Sequence, residues 1–444
     1  MAIAVADQAL ATGLDRQTFR RIMVASSIGN ILEWYDFFLY SFAAALVIGQ
    51  LFFPAGTDPL VGTLGAFAGF ALGFLARPVG GIIFGHVGDR YGRKSALVIT
   101  FILMGIATFL MGLVPVYAQI GIWAPIAIVV LRILQGIANG GEWGGAALIV
   151  AENVKAEHRG YYSSWPQMGL SAGFVLAAVA FYLSQYLTGD AFLTWGWRIP
   201  FLISIVIFFT GVFIRYRIPE SVAFRKMEER SKPSRLPIIE VIKRQPKQIL
   251  IAMGLRVAEN GSSYIFLAFS IAYAKSLGIS TNTVLLAIIV AMIIVLPVII
   301  WFGALADRFS PRLLYLFGAL GVMIFAFPFF MLIATKNTLA IYAALIIAIC
   351  FCFAPMTALQ PKIFSELFGT EVRYSGLALG HEVSAAFAGG LSPLIATALL
   401  LKYGSYVPVA FYLMFLGAVT VFTILVTRAS RLTQRIDLDQ VKIG

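Results

Sequence analysis

The amino-acid sequence predicts an all-α membrane protein with twelve transmembrane helices in two pseudo-symmetric six-helix bundles. Three observations carry that prediction. Of 444 residues, 60% are hydrophobic and 12% charged, and the mean hydropathy is +0.89, too apolar for a water-soluble chain of this length. Apolar runs near the roughly 20 residues that a bilayer core requires recur from Ile22 to Thr427, split by short polar or Pro/Gly breaks. Two motifs also return about half a chain later. Gly85-His-Val-Gly-Asp89-Arg90-Tyr-Gly92-Arg93-Lys94 is echoed by Gly303-Ala-Leu-Ala-Asp307-Arg308-Phe-Ser-Pro-Arg312, and Glu152 with Arg159-Gly is echoed by Glu366 with Arg373-Tyr-Ser-Gly at nearly the same offset.

The spans run approximately over 22–52, 59–86, 95–116, 122–151, 161–187 and 196–217, then 248–276, 283–305, 312–334, 339–366, 374–402 and 405–428. They divide the chain into an N-terminal segment 1–19, a six-helix bundle 20–217, a charged linker 218–246, a second bundle 247–428 and a tail 429–444. Met1 to Thr18 lacks an apolar core, so no separate signal peptide is expected and the first span serves as its own insertion signal. Basic residues fall in every second connection: Arg16, Arg20 and Arg21; Arg90, Arg93 and Lys94; Lys155 and Arg159; Arg308 and Arg312; Arg373; and the tail Arg428, Arg431 and Arg435. Ten more Lys and Arg lie from Arg215 to Lys247. The positive-inside rule then places both termini and the linker in the cytoplasm. Because the net charge of +12 is distributed in this way, no nucleic-acid partner is expected; the lipid bilayer is the surrounding medium.

A charge at mid-bilayer costs a few kcal/mol, so each needs a partner, a water cavity or a function. In the first span Asn30, Glu33, Asp36 and Tyr40 form one polar stripe. The second carries Arg77-Pro78, with Arg77 about 12 Å from Gly85 along the helix, placed to snorkel or to pair with a first-half carboxylate. The fourth stacks Arg132, Gln135, Asn139 and Glu142 on one face. The fifth holds Gln167 and a Gly169-x3-Gly173 packing face, and the sixth opens on Arg198 as an interfacial anchor beside Trp195 and Trp197. In the second half the seventh span offers Arg256, Glu259, Asn260, Ser263 and Tyr264; the tenth Gln360 and two packing cysteines, Cys350 and Cys352; and the eleventh His381 and Glu382. The repeated Gly-x3-Asp-Arg loops suit a conformational latch built from Gly85, Asp89, Arg90, Gly92 and Arg93 in one half and Asp307, Arg308 and Arg312 in the other. Glycine permits close helix approach, and the Asp can accept from Arg or from the free amides at a helix start.

These duplicated loops resemble the signature of the major facilitator superfamily. Glu33-Trp-Tyr-Asp36-Phe, Arg77-Pro-Val-Gly-Gly, Gly140-Gly-Glu-Trp-Gly-Gly145 and Trp195-Gly-Trp-Arg-Ile-Pro200-Phe narrow the likeness to its metabolite:proton symporter family. Tyr161-Tyr-Ser-Ser and Arg373-Tyr-Ser-Gly look most like the shikimate branch. The resemblance implies the major facilitator fold, a bacterial inner membrane, a functional monomer, and a proton and a small organic anion as partners. It also implies that the first and fourth helices of each half line the pathway, which makes an ion pair from Asp36 or Glu33 to Arg132 sterically sensible. Asp36 and Arg132, tuned by Glu33 and Glu142, would then couple proton to anion. Tyr40, Arg132, Gln135, Asn139, Gln167, Arg256, Tyr264, Gln360, His381 and Glu382 are the substrate-facing candidates. The alternative within transport is a proline or betaine osmolyte carrier, against which the short tail without heptads counts.

Other motifs mislead. Gly169-Leu-Ser171-Ala-Gly173 matches a hydrolase elbow but no strand precedes it. His381-Glu382 begins a zinc-protease pattern and lacks its second histidine, and no Gly-Lys dipeptide supports a phosphate-binding loop, so no metal, cofactor or enzymatic activity is expected.

Overall fold

The computed structural model describes residues 16–57, 59–91, 93–141, 150–151, 153–216, 242–368 and 373–429. Most of the linker and of both terminal segments therefore lies outside the described residues. The first half contains α1 (Arg16–Ala43), α2 (Pro59–Tyr91), α3 (Arg93–Leu113), α4 (Trp123–Asn139), α5 (Arg159–Thr188) and α6 (Ile199–Tyr216). In the second half follow α7 (Pro246–Tyr264), α8 (Thr281–Leu305), α9 (Pro311–Ala334), α10 (Thr338–Ile347), α11 (Arg373–Ser384) and α12 (Val407–Ala429). A π-helical turn extends α1 at Ala44–Ile48, α7 at Ile265–Phe269, α10 at Ala348–Phe353 and α11 at Ala385–Gly390, and the last three then resume as Ser270–Ser276, Ala354–Ser365 and Ser392–Tyr403. Such turns mark places where a helix stores an adjustable register.

Most segments match the predicted spans; the fourth was expected over 122–151, whereas α4 ends at Asn139 and 142–149 lie outside the described residues. The second span was expected to end near residue 86, yet α2 continues to Tyr91, so Gly85 to Arg90 form its last turns and not a loop. Isolated glycines are tolerated in a helix at about 1 kcal/mol each, and no proline interrupts this stretch. Gly92, between α2 and α3, lies outside the described residues, as do the side chains of Asp89, Arg90 and Arg93.

Large apolar side chains such as Leu250, Ile324, Phe411 and Phe422 are exposed on the outside, the inverse of a soluble protein, and that surface meets lipid. Polar groups are turned inward. Between helices the driving force is close packing, since lipid tails already solvate apolar surface. Thus α2 and α4 touch backbone to backbone, because a Cβ on Gly136 or Gly140 would overlap the carbonyls of Gly73 and Arg77. Gly169 and Gly173 seat α5 on α1 at Asn30 and Ile31. The halves meet chiefly where α5 lies along α8 and α2 along α11. Cys350 and Cys352 are buried and unbonded.

Candidate functional site

The close approach of α2 and α4 confines Arg132, which is 1% exposed. Its guanidinium carbon lies 4.3 Å from the ring centre of Phe37, 4.4 Å from Tyr40 and 5.1 Å from Phe70. These ring faces attract the cation without neutralising it. Arg132 Nη1 donates to Gln135 Oε1 at 3.0 Å, and Gln135 Nε2 donates to Thr108 Oγ1 at 2.6 Å. Nε and Nη2 have no hydrogen-bond acceptor among the described residues. Space beside Nε exists because residue 73 is glycine: a Cβ there would stand 2.8 Å from that nitrogen.

The expected ion pair from Arg132 to Asp36 or Glu33 is not formed. Glu33 Oε1 accepts from Asn139 Nδ2 at 2.6 Å, a contact between α1 and α4. Asp36, 2% exposed, sits beside Thr108 and near Glu33. Thr108 Oγ1 donates in turn to the Met104 carbonyl at 2.9 Å, so Arg132 is linked through Gln135 to Thr108, beside which Asp36 sits, and the two charged groups do not touch. Thr108 carried no sequence signal, being one hydroxyl in the apolar pattern of α3. Glu142 lies outside the described residues. Tyr40 donates to the Ala66 carbonyl at 3.1 Å, and Gln167 is buried on α5.

A second cluster lies mainly in the other half. Arg256 Nε stands 3.8 Å from Glu259 Oε2, and Arg256 Nη1 donates to Gln360 Oε1 at 3.4 Å. Thr357 donates to Glu259 Oε1 at 3.0 Å. Tyr264 packs edge-on against Phe70 and Phe74 of α2, with ring centres 5.6 and 5.2 Å apart, so it closes the aromatic wall from across the seam. Arg77 neither snorkels nor pairs within its own half. Its Nε faces Glu382 Oε2 at 3.5 Å, because α2 lies along α11. The Arg77 guanidinium covers Phe74 at 4.7 Å and shares the Phe37 ring with Arg132, at 5.4 Å. His381 Nδ1 lies 2.5 Å from Glu382 Oε1.

At one end of the molecule Asp307 spans the halves. Its Oδ1 accepts from the Gly160 amide at 2.8 Å and its Oδ2 from the Tyr161 amide at 2.9 Å, the free N–H groups at the start of α5. Lys362 Nζ donates to Oδ1 at 2.8 Å and to the Ala306 carbonyl at 2.9 Å. Arg308 is exposed. Arg312 and Glu366 line a cavity of about 330 Å³ beside α9 and α12. Burial pushes the Glu366 carboxyl up, against the pull of Arg159, Lys362 and Arg312. At the opposite end Arg198 stacks on Trp197 and caps α3, donating to Gly112 O at 2.7 Å and Val114 O at 2.8 Å.

The sequence model of the Major Facilitator Superfamily matches residues 26–393. The shikimate transporter of Escherichia coli (strain K12) is 39% identical over 420 residues, covering 93% of this chain and 95% of that protein. The proline/betaine transporter of Escherichia coli (strain K12) is 36% identical over 428 residues, covering 93% of this chain and 84% of that protein. Among solved structures, the proton:xylose symporter XylE bound to 6-bromo-6-deoxy-D-glucose superposes with a TM-score of 0.72 at 18% identity, covering 94% of this chain and 96% of that one.

Proposed function

Because the chain belongs to the Major Facilitator Superfamily, a family of membrane transporters, we propose that it is a proton-coupled symporter that imports a small organic anion across a bacterial inner membrane by alternating access. The substrate is a carboxylate, with a shikimate-like hydroxy acid or a dicarboxylate as the leading classes. The observation that carries this reading is Arg132. Nε and Nη2, its two nitrogens without an acceptor, form one edge of the guanidinium, the edge that grips a carboxylate through two parallel hydrogen bonds. Among the described residues Arg132 has no carboxylate partner, and a buried cation so placed has an energetic reason to take an anion. Asp36 is the proton carrier. Gln135 bonds both Arg132 and Thr108, so a shift of Arg132 toward substrate alters the surroundings of Asp36. Glu33, held by Asn139, sets the charge beside it. With both termini cytoplasmic, the end closed by Asp307 is the cytoplasmic one.

A zwitterionic osmolyte is the second reading, favoured by the 36% identity to a proline/betaine transporter. Its carboxylate suits Arg132. Its ammonium would need an aromatic face, and Phe37, Tyr40, Phe70 and Phe74 are already covered by Arg77 and Arg132, which favours the anion.

Uptake of labelled organic acids and betaines into proteoliposomes, with an inward proton gradient on or off, tests the proposal. The expected result is gradient-driven accumulation of a carboxylate that Asp36→Asn abolishes while exchange persists. Uptake of a zwitterion alone would overturn the anion reading, and accumulation retained in Asp36→Asn would overturn the coupling site.

A further inference from the structure

We propose that Glu382 is a second proton-binding site, whose protonation releases Arg77 and loosens the seam between the two halves. The inference rests on the proton-coupled reading above and adds a site to it.

Arg77 belongs to α2 and Glu382 to α11, the helix pair that forms one of the main contacts between the halves. Both side chains are almost fully buried, at 3% and 1% exposure. The bridge is an attraction between charges and not a hydrogen bond: Nε and Oε2 stand 3.5 Å apart, and neither atom has another partner. A bridge of that kind depends wholly on the carboxylate's charge. In a low-dielectric interior an ion pair is worth several times its value in water, and one proton on Glu382 removes it. Arg77 then keeps only the rings of Phe74, Phe37 and Trp34.

The surroundings suit proton exchange. His381 Nδ1 lies 2.5 Å from Glu382 Oε1, so an imidazole, which can both accept and donate a proton, shares the site. Among the described residues, the charged groups facing Glu382 are Arg77 from α2 and Arg256 from α7, with His381 from its own helix. Arg256 is itself held by Glu259 and Gln360. Among the described residues, two arginines and two glutamates balance while both carboxyls are ionised and His381 is neutral, so an added proton leaves these groups positive. Arg77 shares the Phe37 ring with Arg132, and that positive charge therefore lies next to the anion site. Glu382 lies three residues before the π-helical turn Ala385–Gly390, where Gly390 meets Phe74, the ring under Arg77. Movement of Arg77 and adjustment of α11 thus occur at one place.

The consequence is a stoichiometry of two protons per substrate, one on Asp36 and one on Glu382. With the membrane potential clamped at zero, a gradient of one pH unit supports about 100-fold accumulation for two protons and about 10-fold for one. Proteoliposomes loaded with the labelled carboxylate identified in the uptake panel measure this. The expected results are about 100-fold in wild type, about 10-fold in Glu382→Gln, and wild-type stoichiometry in Glu382→Asp, with substrate counterflow as the check that each variant is folded. If Glu382→Gln loses counterflow, restoration by Glu382→Asp together with a two-proton wild type supports the proposal. A one-proton wild type, or Glu382→Gln indistinguishable from wild type, overturns it and leaves the coupling by Asp36 standing. A wild type that ignores the gradient overturns the proposed function instead.

Discussion

Asp307→Asn tests the latch quantitatively. The Asp307 carboxylate takes two amide N–H groups of α5 across the seam, at 2.8 and 2.9 Å, and Lys362 from its own half. Only the first two are lost when the halves separate, so only they favour the closed end. Asparagine keeps one carbonyl oxygen, which preserves one of the amide bonds, but it loses the second bond and the negative charge at a helix start. A hydrogen bond to a charged group contributes about 1.5–3 kcal/mol, and the helix-start charge about 0.3–1 kcal/mol. Discounting for water that solvates Asp307 in the open state, the closed end should lose about 2 kcal/mol, roughly a 30-fold shift in the closed-to-open ratio. Spin labels at Glu157→Cys and Phe309→Cys, exposed positions on opposite halves, read that ratio by double electron–electron resonance in a Cys350→Ala, Cys352→Ala background. Gly160→Ala should shift the ratio in the same direction for a steric reason, because its Cβ would stand 2.5 Å from the Gly303 carbonyl oxygen and 2.6 Å from Asp307 Oδ1. Unchanged distance distributions in both variants would refute the latch.

Two further predictions follow from the site and its closed end. Arg132→Lys replaces a planar fork with a point charge, so the affinity for the transported carboxylate should fall roughly 30-fold, about 2 kcal/mol, in equilibrium binding; a change of under about threefold would show that no two-bonded carboxylate sits there. Glu366 supplies a pH dependence. Its carboxyl is raised by burial in the closed end, whereas an open end would return it to the ordinary glutamate value, so the closed form binds the proton more tightly. The closed fraction should therefore rise as pH falls through the interval between the raised and ordinary values, and decline as pH rises again. The same label pair should report this, with Glu366→Gln flat across that interval; a closed fraction that falls on acidification would contradict the assignment.

Much of this architecture is legible in the chain because bilayers impose length and periodicity. α7 is the instructive case. Arg256, Glu259 and Asn260 lower its hydropathy, yet alternation of basic connections demands a span between the linker and α8, and Pro246–Ser276 supplies it. Asp307 accepting amides at a helix start was also readable, since the motif offers an acceptor and the fold offers free N–H groups. The partners of Arg77 and Arg132 were not. Spacing along a helix fixes which residues share a face, as it did for Arg132, Gln135 and Asn139, but rotation and approach of neighbouring helices decide what that face meets. The course of α2 along α11 sends Arg77 to Glu382, and Thr108 on α3 takes the Gln135 amide beside Asp36 without any periodic signal.

The buried charges point the same way when taken together. Among the described residues, the interior away from the latch holds Arg77, Arg132 and Arg256 against Glu33, Asp36, Glu259 and Glu382. Arg256 faces Glu259 and Arg77 faces Glu382, while in the first half Arg132 lies with Asp36 and with Glu33, which Asn139 holds. A purely structural site would join Arg132 to Asp36, since an uncompensated buried charge costs several kcal/mol. This site instead gives Arg132 to Gln135 and Gln135 to Thr108, with Asp36 beside Thr108 and not in contact with the guanidinium. On the proposed reading the separation is functional: it preserves one position for an anion at Arg132 and another for a proton at Asp36, so the two ligands neutralise a cost that neither relieves alone. Shortening that separation, so that Arg132 and Asp36 satisfy each other directly, would stabilise the empty carrier and weaken both ligands together.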